Sequence, residues 1–215
     1  MSTRADSFAE SPLTRHPRAR FPSREAHRLE TRERVFNAAV RQFEQNGVND
    51  TDVNAIVSDA GVARGTFYFH FPTKEHALAE LTRREEAQIA DELTEVLTSV
   101  ADLRSALAEV IKGVVAEEER LGHLLFRDVL NLYFSATQPE LSDSATHPIV
   151  LIVIEQIEMA RHRGEVDGDV DAGTSAVFFL IGLYGLLVTN RDPSPGRAAV
   201  LDEYLAHFYR GLESR

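Results

Sequence analysis

The chain has 215 residues, 23 Lys+Arg against 34 Asp+Glu, and no cysteine. That length allows a full hydrophobic core and two modest domains, and the missing thiols exclude disulfides, thiol catalysis and thiolate metal sites. The net charge of −11 is unevenly spread: residues 1–78 carry 11 basic and 10 acidic side chains, the remainder 12 and 24, so only the N-terminal part could face a polyanion. No signal-type apolar segment opens the chain. The longest apolar run, Ala176–Val188, is 13 residues, below the roughly 18–20 needed to cross a bilayer. A cytoplasmic protein without membrane association is expected.

Residues 1–28 lack apolar periodicity and hold three prolines, the signature of a disordered arm. Arg15, Arg18, Arg20 and Arg24 make it basic; it is either a solvated tail or an arm that follows a nucleic-acid backbone. A first helix is expected over Leu29–Asn46, with Val35, Phe36, Ala39, Val40 and Phe43 as its buried stripe and Gly47 ending it.

The stretch Thr51–Lys74, TDVNAIVSDAGVARGTFYFHFPTK, reads as two short helices and a tight turn. Thr51 or Asp50 can cap the first, Val53, Ile56, Val57 and Ala60 form its apolar face, and Gly61 stops it. The segment Arg64–His70 is too short to be stable alone, so Phe67 and Phe71 must be buried, leaving Arg64, Thr66, Tyr68 and His70 facing outward. That row suits a duplex: Arg forks onto guanine, while hydroxyls and phenols reach phosphates. Gly65 lets backbone come close to a groove. Lys74, after Thr73 as a cap, offers a cation at a helix start. Residue types alone fit equally a polar helical hairpin with two core phenylalanines.

From Thr73 a long helix is expected to about Val100, its polar middle Thr82–Gln88 lying wet between two cores; the domain boundary falls there, giving domains 29–81 and 82–215. Helices then follow over Asp102–Glu119, with EEER at Glu117–Arg120 as a wet end, and over Leu121–Ala136. A polar loop, Glu140–Thr146, precedes Pro148–Arg163, whose opening IVLIVI is apolar all round. Asp171 caps a helix running to Asn190, and Ser194-Pro195 starts the last, Gly196–Leu212, with Leu201, Leu205, Phe208 and Leu212 as its stripe. Nine helices and no strand predict an all-α protein. No phosphate loop, HExxH, GxSxG or dinucleotide turn is present; neither an enzyme nor a cofactor is expected.

The residues VFNAAVRQF at Val35–Phe43, Gly47, Thr51, Val53, Ile56, AGVARGTFYFHF at Ala60–Phe71 and Lys74-Glu75 resemble the DNA-binding domain of TetR-family transcriptional regulators, over about Thr31–Leu81. Gln42 departs from it, where a leucine is usual. The resemblance implies an N-terminal three-helix helix-turn-helix domain and a larger helical ligand-binding and dimerisation domain. It further implies a repressor that leaves a palindromic double-stranded DNA operator when a small, largely apolar effector binds. Arg64 and Gly65 would lie nearest base edges, Thr66, Tyr68, His70 and Lys74 would hold phosphates, and Thr51 and Asn54 would be secondary contacts. A homodimer would pair the last two helices with their copies, helped by Gly182 and Gly185, placing recognition helices about 34–36 Å apart. Effector-lining candidates are Phe126, Leu130, Tyr133, Phe134, Ile152, Glu155, Gln156, Met159, Phe178 and Phe179, with Glu155 and Glu158 as possible partners of a cation; each aromatic alone reads as plain core. The rival readings are a regulator controlled by a protein partner and a helical small-molecule-binding protein or enzyme without DNA-binding activity.

Overall fold

The computed structural model describes residues 24–133, 147–190 and 195–214. Among these the fold is all-α: α1 (Arg24–Asp50), α2 (Val53–Ala60), α3 (Arg64–His70), α4 (Lys74–Leu97), α5 (Leu103–Tyr133), α6 (Pro148–Arg163), α7 (Ala172–Thr189) and α8 (Pro195–Leu212). One isolated bridge, Val166 to Glu213, ties the last residues to the α6–α7 turn. The expected polar loop Glu140–Thr146 and the Ser194 cap lie outside the described residues, as do Arg15, Arg18 and Arg20.

α1 departs from expectation at its start, which is Arg24, so residues 24–28 are helix rather than arm; at its other end Gly47 breaks the helix as expected (φ 74°), and a short further piece follows to Asp50. Its apolar stripe, Val35, Phe36, Ala39 and Phe43, is buried against α2 and α4. The α2 cap is Asp52, not Thr51 or Asp50: its Oδ1 accepts from the Asn54 N–H at 2.8 Å. Val53, Ile56, Val57 and Ala60 are buried, and Gly61 closes the helix in the left-handed conformation. Phe67 and Phe71, both buried, fix α3 beneath Phe36.

α4 passes from this three-helix unit into the larger body, and its middle is wet on one side only, with Arg83, Arg84, Ala87 and Gln88 exposed. Thr82 and Glu86 are buried, because the helix lies against α5 and α6 as well as α1. The two helices expected over 102–136 are present within 103–133, meeting at a non-helical Gly122 (φ 74°); together they are α5. The EEER run is half interior: Glu117 and Glu118 are buried while Glu119 and Arg120 are exposed. Glu118 pairs with Arg197 of α8, a partner 79 residues away that local polarity could not announce. The opening of α6 is less enclosed than its apolarity suggests, with Ile149, Val150 and Val153 buried but Leu151 exposed.

A charged lattice welds α1 to α4. Glu80 of α4 accepts from Arg32 of α1 at 2.9 and 3.2 Å, and from Arg83 and Arg84 of its own helix. Arg84 also grips Glu33 and lies 4.0 Å over the Phe36 ring. The Arg32 hydrogen bonds, outweighing burial, hold the Glu80 carboxyl down to about 2 from an ordinary 4.5. A depressed carboxylate contributes stability above its unfolded value and loses it as pH falls towards its folded one. Glu80→Gln is therefore expected to cost about 2–3 kcal/mol at pH 7. In denaturant titrations its deficit against the parent should narrow as pH is lowered from 4.5 towards 2.

Candidate functional site

The exposed side of α2 and α3 carries a short polar chain. Arg64 donates to the Asn54 amide oxygen at 3.3 Å and to the Tyr68 hydroxyl at 3.4 Å, with its guanidinium 5.8 Å from the Tyr68 ring. Asn54 in turn donates to Asp52 at 3.2 Å. Arg64, Gly65, Tyr68 and Asn54 are exposed and Thr66 is half-buried. A side chain at Gly65 would meet nothing within 4 Å, so the chain's own packing does not demand glycine there. Phe69, 69% exposed on the same helix, was passed over by sequence reasoning, which assigned only Phe67 and Phe71. Its signal was available: Phe67 and Phe71 repeat at four residues and Phe69 falls between them.

Two expected contacts are corrected, and a third, His70, is less accessible than expected. Thr51 is 3% exposed; its hydroxyl donates to the Gly47 and Gln42 carbonyls at 2.6 and 3.1 Å, so it stitches the end of α1. Lys74 spends its ammonium on three carbonyls, those of Val48, Asn49 and Thr51, at 2.7, 3.0 and 2.8 Å. An ammonium has three hydrogens, so none is left for a phosphate. His70 is half-buried, and burial, with Arg32 and Arg28 near, pulls its pKa below 6.5. The shift disfavours the imidazolium but leaves a ring nitrogen able to donate a hydrogen bond.

Behind this surface lies a joint between the two parts of the chain. At the Gly47 break the Val48 N–H is left without a helical acceptor, and Asp128 of α5 supplies one: Oδ2 accepts from it at 2.7 Å. Lys74 holds the carbonyl of the same residue. Gly47 is doubly constrained, since it has positive φ and a Cβ there would lie 3.2 Å from Asp128 Oδ2.

The interior candidates divide. Phe126, Leu130, Gln156 and Phe179 are buried, Tyr133 and Ile152 half-buried, and Phe134 lies outside the described residues. Phe178 (65% exposed), Met159 and Glu155 point outward and cannot line an interior site. Glu158 pairs with Arg161. Phe179 stacks on Tyr204 and Phe208 of α8, away from α5. The α7 residue that meets Phe126 is Tyr184, with ring centroids 6.4 Å apart, a residue hidden from sequence reasoning inside the apolar run. Tyr133 lies edge-on to His147 at 5.0 Å, and His147 Nδ1 is 3.0 Å from Glu86. Burial, together with Glu86 and Tyr184, pushes the Tyr133 phenol far above its ordinary value.

A seven-residue exposed helix, fixed over its predecessor by two buried phenylalanines and followed by a larger helical body, defines a helix-turn-helix protein with a second, all-helical part. Residues 35–81 match the family described as bacterial regulatory proteins, tetR family. The transcriptional regulator AcrR of Shigella flexneri is 34% identical over 96 residues, covering 42% of this chain and 45% of AcrR. The transcriptional repressor AcnR of Corynebacterium efficiens is 26% identical over 145 residues, covering 66% of this chain and 72% of AcnR. The fold matches that of the regulator FadR of Bacillus subtilis, solved with stearoyl-CoA, with a TM-score of 0.68 at 22% identity, covering 84% of this chain and 99% of FadR. The match thus spans less than half of AcrR, and its family segment is the N-terminal unit. The likeness to the tetR family is carried by that unit, and the larger helical body shares the fold of FadR.

Lys74→Met is expected to lower unfolding stability by about 2 kcal/mol, since it strips a charge-assisted donor from three carbonyls. The salt dependence of any DNA binding should be untouched. A slope reduced by about one with stability unchanged would put the ammonium back on a phosphate.

Proposed function

We propose that this chain is a dimeric, ligand-responsive DNA-binding repressor acting in the cytoplasm, and not an enzyme. The observation that carries the reading is the exposed Asn54–Arg64–Tyr68 surface on a helix pair rigidly seated by Phe67 and Phe71, within the segment that matches the family. Arg64 is the reader of a base edge; Thr66, Tyr68 and Asn54 hold backbone, and Gly65 admits it. His70 contributes a ring N–H to the backbone.

The partner for the second part is another copy of the chain. α7 is 18 residues long with mean hydropathy 1.8, apolar enough by length and composition to cross a membrane, and one third of it is buried. Its inner side, Ala176, Phe179, Leu183 and Leu187, packs on its own domain, while Phe178, Ile181 and Gly185 face out. A spanning helix would need lipid or apolar protein all round, whereas a half-covered one suits a symmetric bundle with its copy and α8. Gly182 is not free for that contact: Tyr204 of the same chain occupies it, since a Cβ there would lie 2.6 Å from the Tyr204 hydroxyl. Gly185 is the open glycine.

The effector is a small, largely apolar molecule held between α4, α5, α6 and α7; the FadR proteins of similar fold, from Bacillus subtilis and Thermus thermophilus, were solved with stearoyl-CoA and lauroyl-CoA. It acts by favouring an arrangement in which the two recognition helices leave groove spacing, through the Asp128–Val48 joint, and shifts that balance only by its difference in affinity for the two states.

Gel retardation of the DNA upstream of its own gene, at low salt, tests the reading; absence of retardation overturns it. Arg64→Ala should weaken specific binding by roughly 10–100-fold and relax preference at one base position. Equal loss on random DNA would make it a phosphate contact. Phe178→Asp should convert the dimer to monomer in sedimentation at micromolar concentration and abolish operator retardation, with helical content unchanged; a dimer surviving the substitution would move the interface elsewhere.

A further inference from the structure

The short exposed helix α3 carries an apolar ridge that its hydrogen-bonding residues do not account for. An α-helix turns about 100° per residue, so Phe69 points roughly opposite to Phe67, the residue that is fully buried. Gly65, four residues before Phe69, falls on the same outward line. Arg64 and Tyr68 flank that line on one side, Thr66 and His70 on the other. The outermost strip of α3 is therefore bare backbone followed by a phenyl ring, set between two polar rows.

The fold needs neither member of this strip. A Cβ at Gly65 would meet nothing within 4 Å, and its φ is not left-handed. Neither packing nor backbone conformation calls for glycine there, and glycine weakens a helix relative to alanine. Phe69, at 69%, is the most exposed large apolar side chain among the described residues. Its ring stands edge-on to His70, with 4.9 Å between centroids, and takes no part in the core that Phe67 and Phe71 join.

The flanking rows decide what can cover such a ring. The centre of a protein interface is apolar and continuous, whereas Phe69 stands between side chains that carry hydrogen-bonding groups. In the major groove of DNA, guanine, adenine and cytosine present donors and acceptors, and thymine adds an apolar C5-methyl. A phenyl ring pressed on polar base edges strips their water and returns no hydrogen bond. On thymine it covers a methyl group. The bare backbone at Gly65 lets the helix sink far enough for the ring to arrive.

We propose that Phe69 is a specificity-determining residue: on the leading edge that Gly65 leaves open, its ring reads the C5-methyl of a thymine in each half-site of the operator. The inference rests on the DNA-binding reading above and adds to it a base preference that no hydrogen bond carries.

The test uses the full-length protein and two copies of the DNA upstream of its own gene, one made with thymidine and one with deoxyuridine throughout. The two differ only in the C5-methyl. In gel retardation at fixed salt the parent should bind the thymidine DNA about fourfold tighter per half-site, the worth of burying one methyl, and roughly tenfold tighter as a dimer. Phe69→Ala should bring that ratio close to one by weakening the thymidine complex, with melting and sedimentation unchanged. Gly65→Ala should melt no lower than the parent and yet bind the thymidine DNA more weakly. A parent indifferent to the methyl, or a preference that survives Phe69→Ala, overturns the proposal. So does a Gly65→Ala protein that binds as the parent does, or a Phe69→Ala protein that falls to monomer, which would place the ring in a protein interface. Retardation of neither DNA by the parent ends the DNA reading itself, whereas equal retardation of both leaves that reading standing and removes only the role of Phe69.

Discussion

The Val48 peptide unit is where the molecule is joined. Its N–H is held by a carboxylate from one side of the chain and its carbonyl by an ammonium from the other, Asp128 at 2.7 Å and Lys74 at 2.7 Å. Neither interaction would be needed if α1 ended cleanly or continued unbroken. The left-handed Gly47 opens the helix, orphans backbone groups at its end, and the two side chains satisfy them from α5 and α4. Thr51 closes the remaining carbonyls. One break in one helix therefore fixes three elements against each other: the scaffold helix, the start of α4 and the middle of α5. The relative position of α2 and α3, which follow immediately in the chain, depends on that fixture.

Charge is sorted by depth in two different ways. Over the N-terminal unit the arginines are outside and paired: Arg32 and Arg84 bridge to Glu80 and Glu33 while covering Phe71 and Phe36. The Glu80 pairs stabilise because that acid is largely enclosed while its arginines remain partly solvated. In the larger body the acids are inside. Glu118 has an arginine from α8, Glu86 has an imidazole and a phenol, and Glu117 has no hydrogen-bond or ion-pair partner among the described residues. The excess of acid in residues 79–215 is thus not simply a solvated surface; part of it furnishes an interior whose electrostatics are unlike those of an ordinary apolar core.

Sequence reasoning succeeded where the physics is local. Apolar residues at helical spacing placed Val35, Phe43, Ile56, Phe67 and Leu201 in the core, and the glycine stop at Gly61 and the Asp171 cap were legible because each acts on its immediate neighbours. It failed where a partner lies far along the chain. Lys74 looked like an anion site because its carbonyl partners are 23–26 residues away. The EEER run looked wet because charge runs usually are, and Arg197, 79 residues on, is what allows Glu118 inside. Phe178 and Phe179 were taken together, yet Tyr204 nesting on Gly182 and stacking on Phe179 turns one inward and leaves its neighbour outside. Neither Asp128 nor Tyr184 stands out until helices distant in sequence are brought together. The exposed face of α2 and α3 was the more legible surface because its geometry is set within about twenty residues.

The segment after Gly122 connects these observations. Residues 123–133 continue α5 beyond a left-handed break, and within two residues of each other they carry Phe126, directed at Tyr184 of α7, and Asp128, directed at Val48 of α1. On a helix, positions i and i+2 face different sides, so one short rigid piece touches the interior on one side and the joint on the other. A molecule that displaces Phe126 or Tyr133 must either compress packed side chains or rotate this piece, and close packing makes rotation the softer response. Rotation moves the Asp128 carboxylate relative to a peptide N–H 2.7 Å away, where a few tenths of an ångström alters a charge-assisted bond. Because Lys74 holds the same residue's carbonyl, strain at Val48 is passed directly to the first turn of α4 and so to both sides of the short exposed helix.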